Sequence, residues 1–293
     1  MGTRVEIQLW MDDEPQARQL IAAGMAEFDR IEAGMSTYRA SSEISAVNRD
    51  AAIAPVVVSA ELFDLVRRSL ELSVQTGGAF DITYDSVGYL YDFRAHERPS
   101  EAKIANHLDA INYRHVLLDG GKSTIRFTRS GTRINLGGIA KGYSCEQVVA
   151  LLRKAGVTNA LVNAGGDTRL LGDRRGKPWV VGIRDPDDES KWVTRLALDD
   201  EAISTSGDYE RFFDEDGVRY HHILDPKSGK PVAGVRSVTI IGPDATLTDG
   251  LSTSVFVLGP ERGLALIEAT PGYAAVIIDA GRNVRFSRAL AAD

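Results

Sequence analysis

The chain has 293 residues, of which 43% are hydrophobic and 26% are charged, and its formal net charge at pH 7 is −7. This composition is typical of a globular protein with a sizeable core, and an acidic chain without a basic run is not expected to bind nucleic acid. The single cysteine, Cys145, excludes an internal disulfide and a cysteine-rich metal site, and its position on a predicted helix favours a core role. No apolar run reaches the roughly 18 residues that a membrane-spanning helix needs.

The first hundred residues predict one strand followed by helices. Thr3–Trp10 alternates weakly between apolar and polar residues, which predicts a strand. Pro15 then opens a long amphipathic helix, and a later helix begins after the capping residue Ser59 and ends at Gly77-Gly78. Residues 84–99 contain four aromatic side chains together with aspartates, and they predict a loop or a lid.

The stretch around which the chain is organised is residues 131–172. Arg133–Leu136 predicts a short strand, Gly137-Gly138 turns the chain, and apolar residues then recur at helical spacing. Gly156 stands where a helix end favours a left-handed residue. Ala160–Val162 predicts a buried strand, which a second pair of glycines follows.

Lys141 stands in the first turn of the predicted central helix, just after Gly137-Gly138. A glycine-rich turn that opens a helix is a natural anion site, because the first amides lack partners and the helix dipole is positive there. A cation at this position costs roughly 0.3–1 kcal/mol, so a bound anion would explain it. Two tight turns and a solvated lysine explain the pattern equally well, since the spacing is neither G-x-G-x-x-G nor a Walker loop.

The C-terminal part predicts further strands, a hairpin and one helix. Its predicted elements are strands at Trp179–Ile183, Arg195–Leu198 and Ala202–Thr205, a hairpin of Tyr209–Phe213 with Val218–Leu224, a strand at Val235–Ile241, a helix at Leu247–Leu258 capped from Thr246 or Thr248, and a closing hairpin of Ala274–Ile278 with Val284–Phe286. Strands and helices alternate irregularly, which predicts an α/β to α+β fold, with mixed sheets and antiparallel hairpins packed by helices. No linker divides residues 1–293, so a single domain is expected.

Two groups of polar residues could carry chemistry. Asp249 and Thr253 lie four residues apart on one face of a predicted helix, and a carboxylate with a hydroxyl suits Mg²⁺. An aspartate in the first turn that complements the helix dipole is the simpler alternative. His221-His222 precedes a turn, and a histidine there can accept a proton from a hydroxyl or be structural.

Nine short motifs occur in a fixed order. They are MGT at Met1–Thr3, MSTY at Met35–Tyr38, SEIS..N at Ser42–Asn48, GGAFDIT at Gly77–Thr83, NLGGIAKGY at Asn135–Tyr143, VNAGGD at Val162–Asp167, STSGDY at Ser204–Tyr209, HHILDP at His221–Pro226 and D..ST at Asp249–Thr253. Together they resemble the ApbE family of FAD:protein FMN transferases over essentially the whole chain.

The resemblance implies two lobes around a flavin cleft and FAD as the substrate. The positions that it implies for FAD contacts are Met1, Tyr38, Ala79, Phe80, Asp81, Asn135, Lys141 and Leu224. It implies Mg²⁺ on Asp249, Thr253 and the carbonyl of Gly138, with His222 as the catalytic base. FMN would pass from FAD to a threonine or serine hydroxyl of an acceptor protein, a subunit of a membrane redox complex, and AMP would be released.

The chain departs from the family pattern in three places. Asn135 stands where the family usually has aspartate, and Tyr84-Asp85 stands where a hydrophobic residue and proline usually follow FDIT. The chain shows no signal peptide or lipid-anchor cysteine, although relatives are often exported and membrane-anchored, so as it stands a cytoplasmic location is expected. If Met1 were the initiator, Gly2 would favour its removal and the flavin contact would be lost. We therefore expect further residues upstream of Met1 in the native protein. The competing functions are a Mg²⁺-dependent FAD pyrophosphatase that yields free FMN and AMP, and a non-catalytic flavin-binding module.

Overall fold

The computed structural model of the chain describes residues 3–291, with Glu189 described by its backbone only. Its α-helices are α1 (Glu14–Met35), α2 (Glu43–Asp50), α3 (Ala60–Gln75), α4 (Asp85–Gly88), α5 (Glu101–Leu108), α6 (Ala140–Lys154), α7 (Ala245–Leu258) and α8 (Pro260–Glu268). Its strands are β1 (Val5–Leu9), β2 (Val56–Val57), β3 (Val116–Asp119), β4 (Thr124–Phe127), β5 (Ala160–Ala164), β6 (Asp167–Leu171), β7 (Trp179–Asp185), β8 (Asp188–Leu198), β9 (Ala202–Gly207), β10 (Phe212–Glu215), β11 (Val218–His221), β12 (Leu224–Asp225), β13 (Lys230–Pro231), β14 (Val235–Gly242), β15 (Ala274–Asp279) and β16 (Val284–Phe286).

A seven-stranded sheet in the order β1-β5-β6-β9-β14-β15-β16 forms the centre of the fold, and each of its pairings is antiparallel. A three-stranded sheet, β2-β4-β3, and three two-stranded hairpins complete the strand structure of the described residues. α6 packs on β5 and β6 and against α1 and α7. The predicted α/β to α+β architecture, with antiparallel hairpins packed by helices, is therefore confirmed, and the pairings within the described sheets are antiparallel where mixed sheets were predicted.

Helix starts follow local capping chemistry. The Asp13 side chain accepts from the Gln16 N–H at 3.0 Å at the start of α1, and Ser59 accepts from the Leu62 N–H at 3.2 Å at the start of α3. α7 begins earlier than predicted, because Asp244 is its cap and accepts from the Leu247 N–H at 3.1 Å. The prediction of a cap at Thr246 or Thr248 is wrong, since both side chains are buried inside the helix.

The predicted strand at Arg133–Leu136 is absent from the described structure. The segment pairs with no neighbouring strand in the described range, and other groups hold its backbone by hydrogen bonds. The side chain of Asn48 accepts from the Ile134 N–H at 2.7 Å and donates to the Ile134 carbonyl at 2.9 Å. Asn135 donates its N–H to the Ile82 carbonyl at 2.9 Å. Side chains and a loop thus take the hydrogen bonds that a neighbouring strand would have taken.

Two further predictions differ from the structure, and one helix had no prediction. Arg195–Leu198 belongs to β8, which among the described strands pairs only with β7 and does not extend the central sheet. Residues 84–99 begin with the short helix α4 before they become a loop, and the sequence patterns do not predict α8. No helix within residues 3–291 is long and apolar enough to cross a membrane.

Candidate functional site

The start of α6 meets the start of α7 in a buried cluster of charges. The ammonium of Lys141 lies 3.0 Å from Asp167 Oδ2 and 3.1 and 3.2 Å from the two carboxylate oxygens of Asp249. It also donates to the Gly137 carbonyl at 3.1 Å. Both aspartates are almost completely buried, whereas the Lys141 side chain is 24% exposed, so Lys141 neutralises one of the two buried carboxylates and still reaches the surface of the cluster.

Gly142 allows the two helices to come this close. A Cβ atom at Gly142 would lie 1.9 Å from the Ala245 carbonyl oxygen and 2.8 Å from the Cβ atom of Asp249. The Gly142 N–H donates to Asp249 Oδ2 at 3.0 Å. The anion that the glycine-rich helix start predicted is therefore, in this structure, the carboxylate of Asp249, and it also explains the lysine in the first turn.

The two buried carboxylates shape the charge state of the cluster. Burial alone would lower the pKa of Lys141, but the charges of Asp167 and Asp249 outweigh it and raise that pKa above its usual range. Burial and the charge of Asp249 raise the pKa of Asp167 to about 7, against the opposing effect of Lys141. With both aspartates ionised, the cluster carries one negative charge in excess, which favours a further cation.

The predicted metal ligands lie beside this cluster. A Cβ atom at Gly138 would lie 3.2 Å from Thr253 Oγ1, so the backbone of Gly138 comes close to that hydroxyl, and a side chain there would require Thr253 to shift. Asp249 already faces a cation, the Lys141 ammonium, through both oxygens. Within residues 3–291 no group of three His, Cys, Asp or Glu side chains could hold a metal ion, so a cation here depends on carboxylate, hydroxyl and carbonyl oxygens together. Such an oxygen donor set fits Mg²⁺.

Aromatic side chains line the neighbouring space. Tyr38 is 89% exposed, so its ring is free to cover a planar ligand. Burial and the charge of Asp85 raise the pKa of Tyr84 above its usual range. The charges of Arg211 and Lys141 act on the same phenol in the opposite direction. The Tyr84 hydroxyl lies 3.7 Å from the position of a Gly137 Cβ atom, beside the glycine turn that precedes α6.

The two sequence departures in this region are in contact. Asn135 Nδ2 donates to Asp85 Oδ1 at 3.1 Å, and Asn135 Oδ1 accepts from the Gly137 N–H at 2.8 Å. The other oxygen of Asp85 accepts from Arg133 Nε at 3.1 Å. A carboxylate is thus present next to Asn135, although it comes from a different part of the chain.

Ala79, Phe80 and Asp81 are buried. The ring of Phe80 reaches the Gly138 turn, with Cε2 at 3.4 Å from the position of a Gly138 Cβ atom. The carboxylate of Asp81 accepts from Thr83 Oγ1 at 2.6 Å and from the Tyr113 N–H at 2.8 Å. These bonds hold the FDIT segment, and Asp81 also lines a cavity of about 410 Å³ together with Pro226 and Lys227.

The two histidines have different surroundings. His221 is buried, its Nε2 lies 2.8 Å from the Val232 carbonyl, and its Nδ1 accepts from the Ile223 N–H at 3.3 Å. His222 Nδ1 is also buried, but no residue in the described range 3–291 bonds it. Burial and the positive charge of Arg211 lower the pKa of His222 to about 3, with a contribution from Lys141. His222 is therefore neutral at pH 7.

Two predicted flavin contacts remain. Leu224 is buried in a small apolar cluster with Val87, Tyr91 and Ile104. Met1 lies outside the described residues. The sequence reasoning overlooked Asp167 and Asp85 as site residues. Asp167 closes the VNAGGD motif and so carried a usable signal, whereas nothing in the local sequence around Asp85 indicated its contact with Asn135.

The chain is similar to known proteins of one family. The family model described as the ApbE family matches residues 1–278. The FAD:protein FMN transferase of Treponema pallidum is 36% identical over 271 residues, which cover 86% of this chain and 75% of that protein. That of Vibrio cholerae is 36% identical over 242 residues, which cover 80% of this chain and 72% of that protein.

Solved structures extend the likeness to the fold. The crystal structure of the ApbE protein from Thermotoga maritima has a TM-score of 0.90 and 34% sequence identity, covering 98% of this chain and 94% of that chain. The flavin transferase ApbE from Vibrio cholerae has a TM-score of 0.87 and 30% identity, covering 98% of this chain and 93% of that chain. Sequence and fold therefore agree that the chain belongs to the ApbE family, and it is an enzyme of the transferase class.

Proposed function

We propose that the chain is a Mg²⁺-dependent FAD:protein FMN transferase, which moves FMN from FAD to a threonine or serine hydroxyl of an acceptor protein and releases AMP. The relatives with that name support the donor and the type of reaction. The observation in this chain that carries the proposal is that the Lys141 ammonium is held between Asp167 and Asp249, at 3.0 and 3.1 Å, while His222, neutral at pH 7, keeps a buried Nδ1 that no residue within 3–291 bonds. A cation for a pyrophosphate and a base for a hydroxyl are what this transfer needs.

The donor set at the junction of α6 and α7 fits a divalent cation. Asp249, Thr253 and the Gly138 carbonyl would hold Mg²⁺, which when bound supplies positive charge to the pyrophosphate oxygens. When Asp167 is ionised, the Lys141 cluster carries one excess negative charge, which favours such a cation before the substrate arrives. The chain itself orients Asp249 through the Gly142 N–H, at 3.0 Å from Asp249 Oδ2.

Lys141 has a second task in this proposal. Its ammonium is held by Asp167 at 3.0 Å and by the Gly137 carbonyl at 3.1 Å, so it keeps partners when Asp249 turns to another cation. A lysine fixed in this way presents a preorganised positive charge to an anionic substrate, and it needs no rearrangement during the reaction. Its raised pKa keeps it charged over the whole working range.

His222 accepts the proton of the acceptor hydroxyl. The hydroxyl oxygen forms a bond to the phosphorus of the FMN moiety, the bond from that phosphorus to the bridging oxygen breaks, and the bridging oxygen leaves with AMP. His222 is neutral at pH 7, so the base form is fully populated without FAD. Because the cations Arg211 and Lys141 lower its pKa, an anionic pyrophosphate between these groups would raise it towards the working pH.

The nature of the acceptor is part of the proposal. The family resemblance supports a subunit of a membrane redox complex that carries a threonine or serine at its flavin site. Water in place of this hydroxyl would make the chain an FAD pyrophosphatase, and an inert cleft would make it a flavin-binding module.

The release of AMP from FAD separates these three functions. We expect slow or no release with Mg²⁺ alone, rapid release after a threonine-bearing acceptor is added, and none in EDTA. Equal release with and without the acceptor would identify a pyrophosphatase. Tight FAD binding without any release of AMP, even after the acceptor is added, would identify a binding module. Either result would contradict the proposal.

A further inference from the structure

A chain of hydrogen bonds runs from Arg133 to the glycine turn at the start of α6. Arg133 Nε donates to Asp85 Oδ2 at 3.1 Å, and Asn135 Nδ2 donates to Asp85 Oδ1 at 3.1 Å. The Gly137 N–H then donates to Asn135 Oδ1 at 2.8 Å. The carboxylate of Asp85 is buried, with 6% of its side chain exposed. None of the roles proposed so far uses this buried group.

The turn at the end of this hydrogen-bond chain carries two oxygens of the proposed site. The Gly137 carbonyl accepts from the Lys141 ammonium at 3.1 Å. The next residue, Gly138, packs its backbone against Thr253, since a Cβ atom there would lie 3.2 Å from Thr253 Oγ1. The orientation of the Gly137 peptide therefore determines the position of the Lys141 ammonium and the direction of the Gly138 carbonyl.

We propose that Asp85 is a positioning residue that fixes the carboxamide of Asn135 and, through it, the Gly137-Gly138 turn that serves Lys141 and the divalent cation. This inference rests on the proposed metal site. Its basis is the number of donors along the hydrogen-bond chain. Arg133 Nε and the Gly137 N–H are hydrogen-bond donors at the two ends of this hydrogen-bond chain. The side chains at positions 85 and 135 must therefore each present an acceptor to its terminal donor, and one of them must donate to the other in the middle contact. A carboxylate and an amide satisfy this condition together.

The substitution Asp85→Asn breaks the pattern, because it places two amides between the two terminal donors. If the new amide accepted from Asn135, its own NH₂ would face Arg133 Nε. If the new amide accepted from Arg133, its own NH₂ would face the NH₂ of Asn135. Rotating the Asn135 amide by 180° would relieve that contact, but it would turn the Asn135 NH₂ towards the Gly137 N–H. Every arrangement leaves one pair of donors facing each other, which costs about 1 kcal/mol or more where the group is buried.

The substitution Asn135→Asp is also unfavourable, because two carboxylates would then face each other without a donor between them. The exchanged pair is different. With Asn135→Asp and Asp85→Asn combined, the carboxylate at position 135 accepts from the Gly137 N–H and from the amide at position 85, and that amide accepts from Arg133 Nε. All donors have acceptors again, so the double exchange should restore the turn.

Simple electrostatics makes a different prediction for the same variants. Asp85→Asn removes a negative charge and would weaken cation binding, whereas Asn135→Asp adds one and would tighten it. Positioning through the turn predicts that both single variants weaken cation binding. Asp109→Asn, which removes an exposed carboxylate paired with Arg129 at 3.2 Å, measures the effect of charge alone.

The experiment is a titration of each protein with Mn²⁺, followed by electron paramagnetic resonance of the free ion, with the melting temperature of each variant measured in EDTA. We expect each single variant to bind Mn²⁺ about fivefold more weakly than wild type, which corresponds to one typical hydrogen bond. The double exchange should return to within about twofold of wild type, and Asp109→Asn should match wild type.

The outcomes separate this inference from the metal site on which it rests. If wild type binds Mn²⁺ and Asn135→Asp binds it more tightly, charge and not positioning controls the site, and the inference is wrong. A double exchange no better than the poorer single variant would overturn it equally. If wild type binds no Mn²⁺ at all, the proposed metal site falls, and the positioning role falls with it.

Discussion

Lys141 and Asp249 are 108 residues apart in the sequence, yet the ammonium lies 3.1 and 3.2 Å from the two carboxylate oxygens. The pair joins the first turn of α6 to α7, and Asp167 at the start of β6 completes it at 3.0 Å. Two helices and a strand of the central sheet thus meet at one buried charge cluster, which we propose as the centre of the chemistry.

Asp249→Asn should lose transfer activity by more than about 100-fold, because the carboxylate is the only charged ligand among those proposed for Mg²⁺. The fold should remain, since an amide oxygen can still accept from the Gly142 N–H and Asp167 still neutralises Lys141. Initial rates and thermal melting of wild type and variant measure both effects. Full activity in the variant, together with wild-type activity in EDTA, would exclude a role for Mg²⁺.

Gly142→Ala should destabilise the fold, because the new methyl group would meet the Ala245 carbonyl oxygen at 1.9 Å. Separating α6 from α7 costs about 1–3 kcal/mol by the usual penalty for overpacking. Gly120→Ala is the matched control, since its methyl group would meet only the ring of Phe63 at 3.9 Å. Chemical denaturation of the two variants should show a clear loss for the first and little for the second; equal midpoints would show that the helices can separate freely.

His222→Asn should slow FMN transfer by roughly 10²–10⁴, the usual contribution of a general base, while FAD affinity stays near that of wild type. His221→Asn should lower the melting temperature, because His221 is buried and bonds Val232 and Ile223. Its rate per folded molecule should change little. Single-turnover rates and flavin fluorescence titrations separate these effects, and similar small rate losses in both variants would rule out the base role.

The pKa of Asp167, raised to about 7 by burial and by the charge of Asp249, makes stability depend on pH. The unfolded carboxyl has a pKa of about 3.9, so the native state binds more protons between about pH 4 and about pH 7. The free energy of unfolding that Asp167 contributes is therefore fully present at low pH and is lost as the pH rises through about 7.

Asp167→Asn removes this dependence. Melting in EDTA at several values between about pH 5 and about pH 8 should show wild type losing stability relative to the variant as the pH rises. Asp109→Asn, at an exposed carboxylate paired with Arg129 at 3.2 Å, is a control for a general change in charge. A constant difference between wild type and Asp167→Asn over this range would mean that Asp167 titrates normally.

Local patterns were sufficient for the elements that local chemistry decides. Capping by Ser59, the glycines Gly138 and Gly156 that flank α6, and the Asp249 to Thr253 spacing are all visible in a few consecutive residues. Arg133–Leu136 looked like a strand for the same reason. Whether such a segment joins a sheet depends on its neighbours, and here the neighbour is the side chain of Asn48, which lies far away in the sequence.

The long-range contacts of the site were beyond such patterns. Lys141 could be seen to need an anion, but that the anion is Asp249 depends on the close packing that Gly142 permits. The contact of Asp85 with Asn135 likewise joins two segments whose order in the chain says nothing about their distance. The order of the nine motifs indicated the family, and the family resemblance in turn indicated Lys141 and Asp249 as residues of one site.

The intact mass of an acceptor protein, measured after incubation with this chain, FAD and Mg²⁺, decides whether FMN is transferred to a protein hydroxyl. We predict that the mass of a threonine-bearing acceptor increases by one FMN moiety, and that the same acceptor with its threonine changed to alanine shows no increase. With His222→Asn in place of the wild-type chain, the increase should be much slower. An acceptor whose mass does not change, while FAD is still converted to FMN and AMP, would show that water and not a protein hydroxyl receives the phosphoryl group.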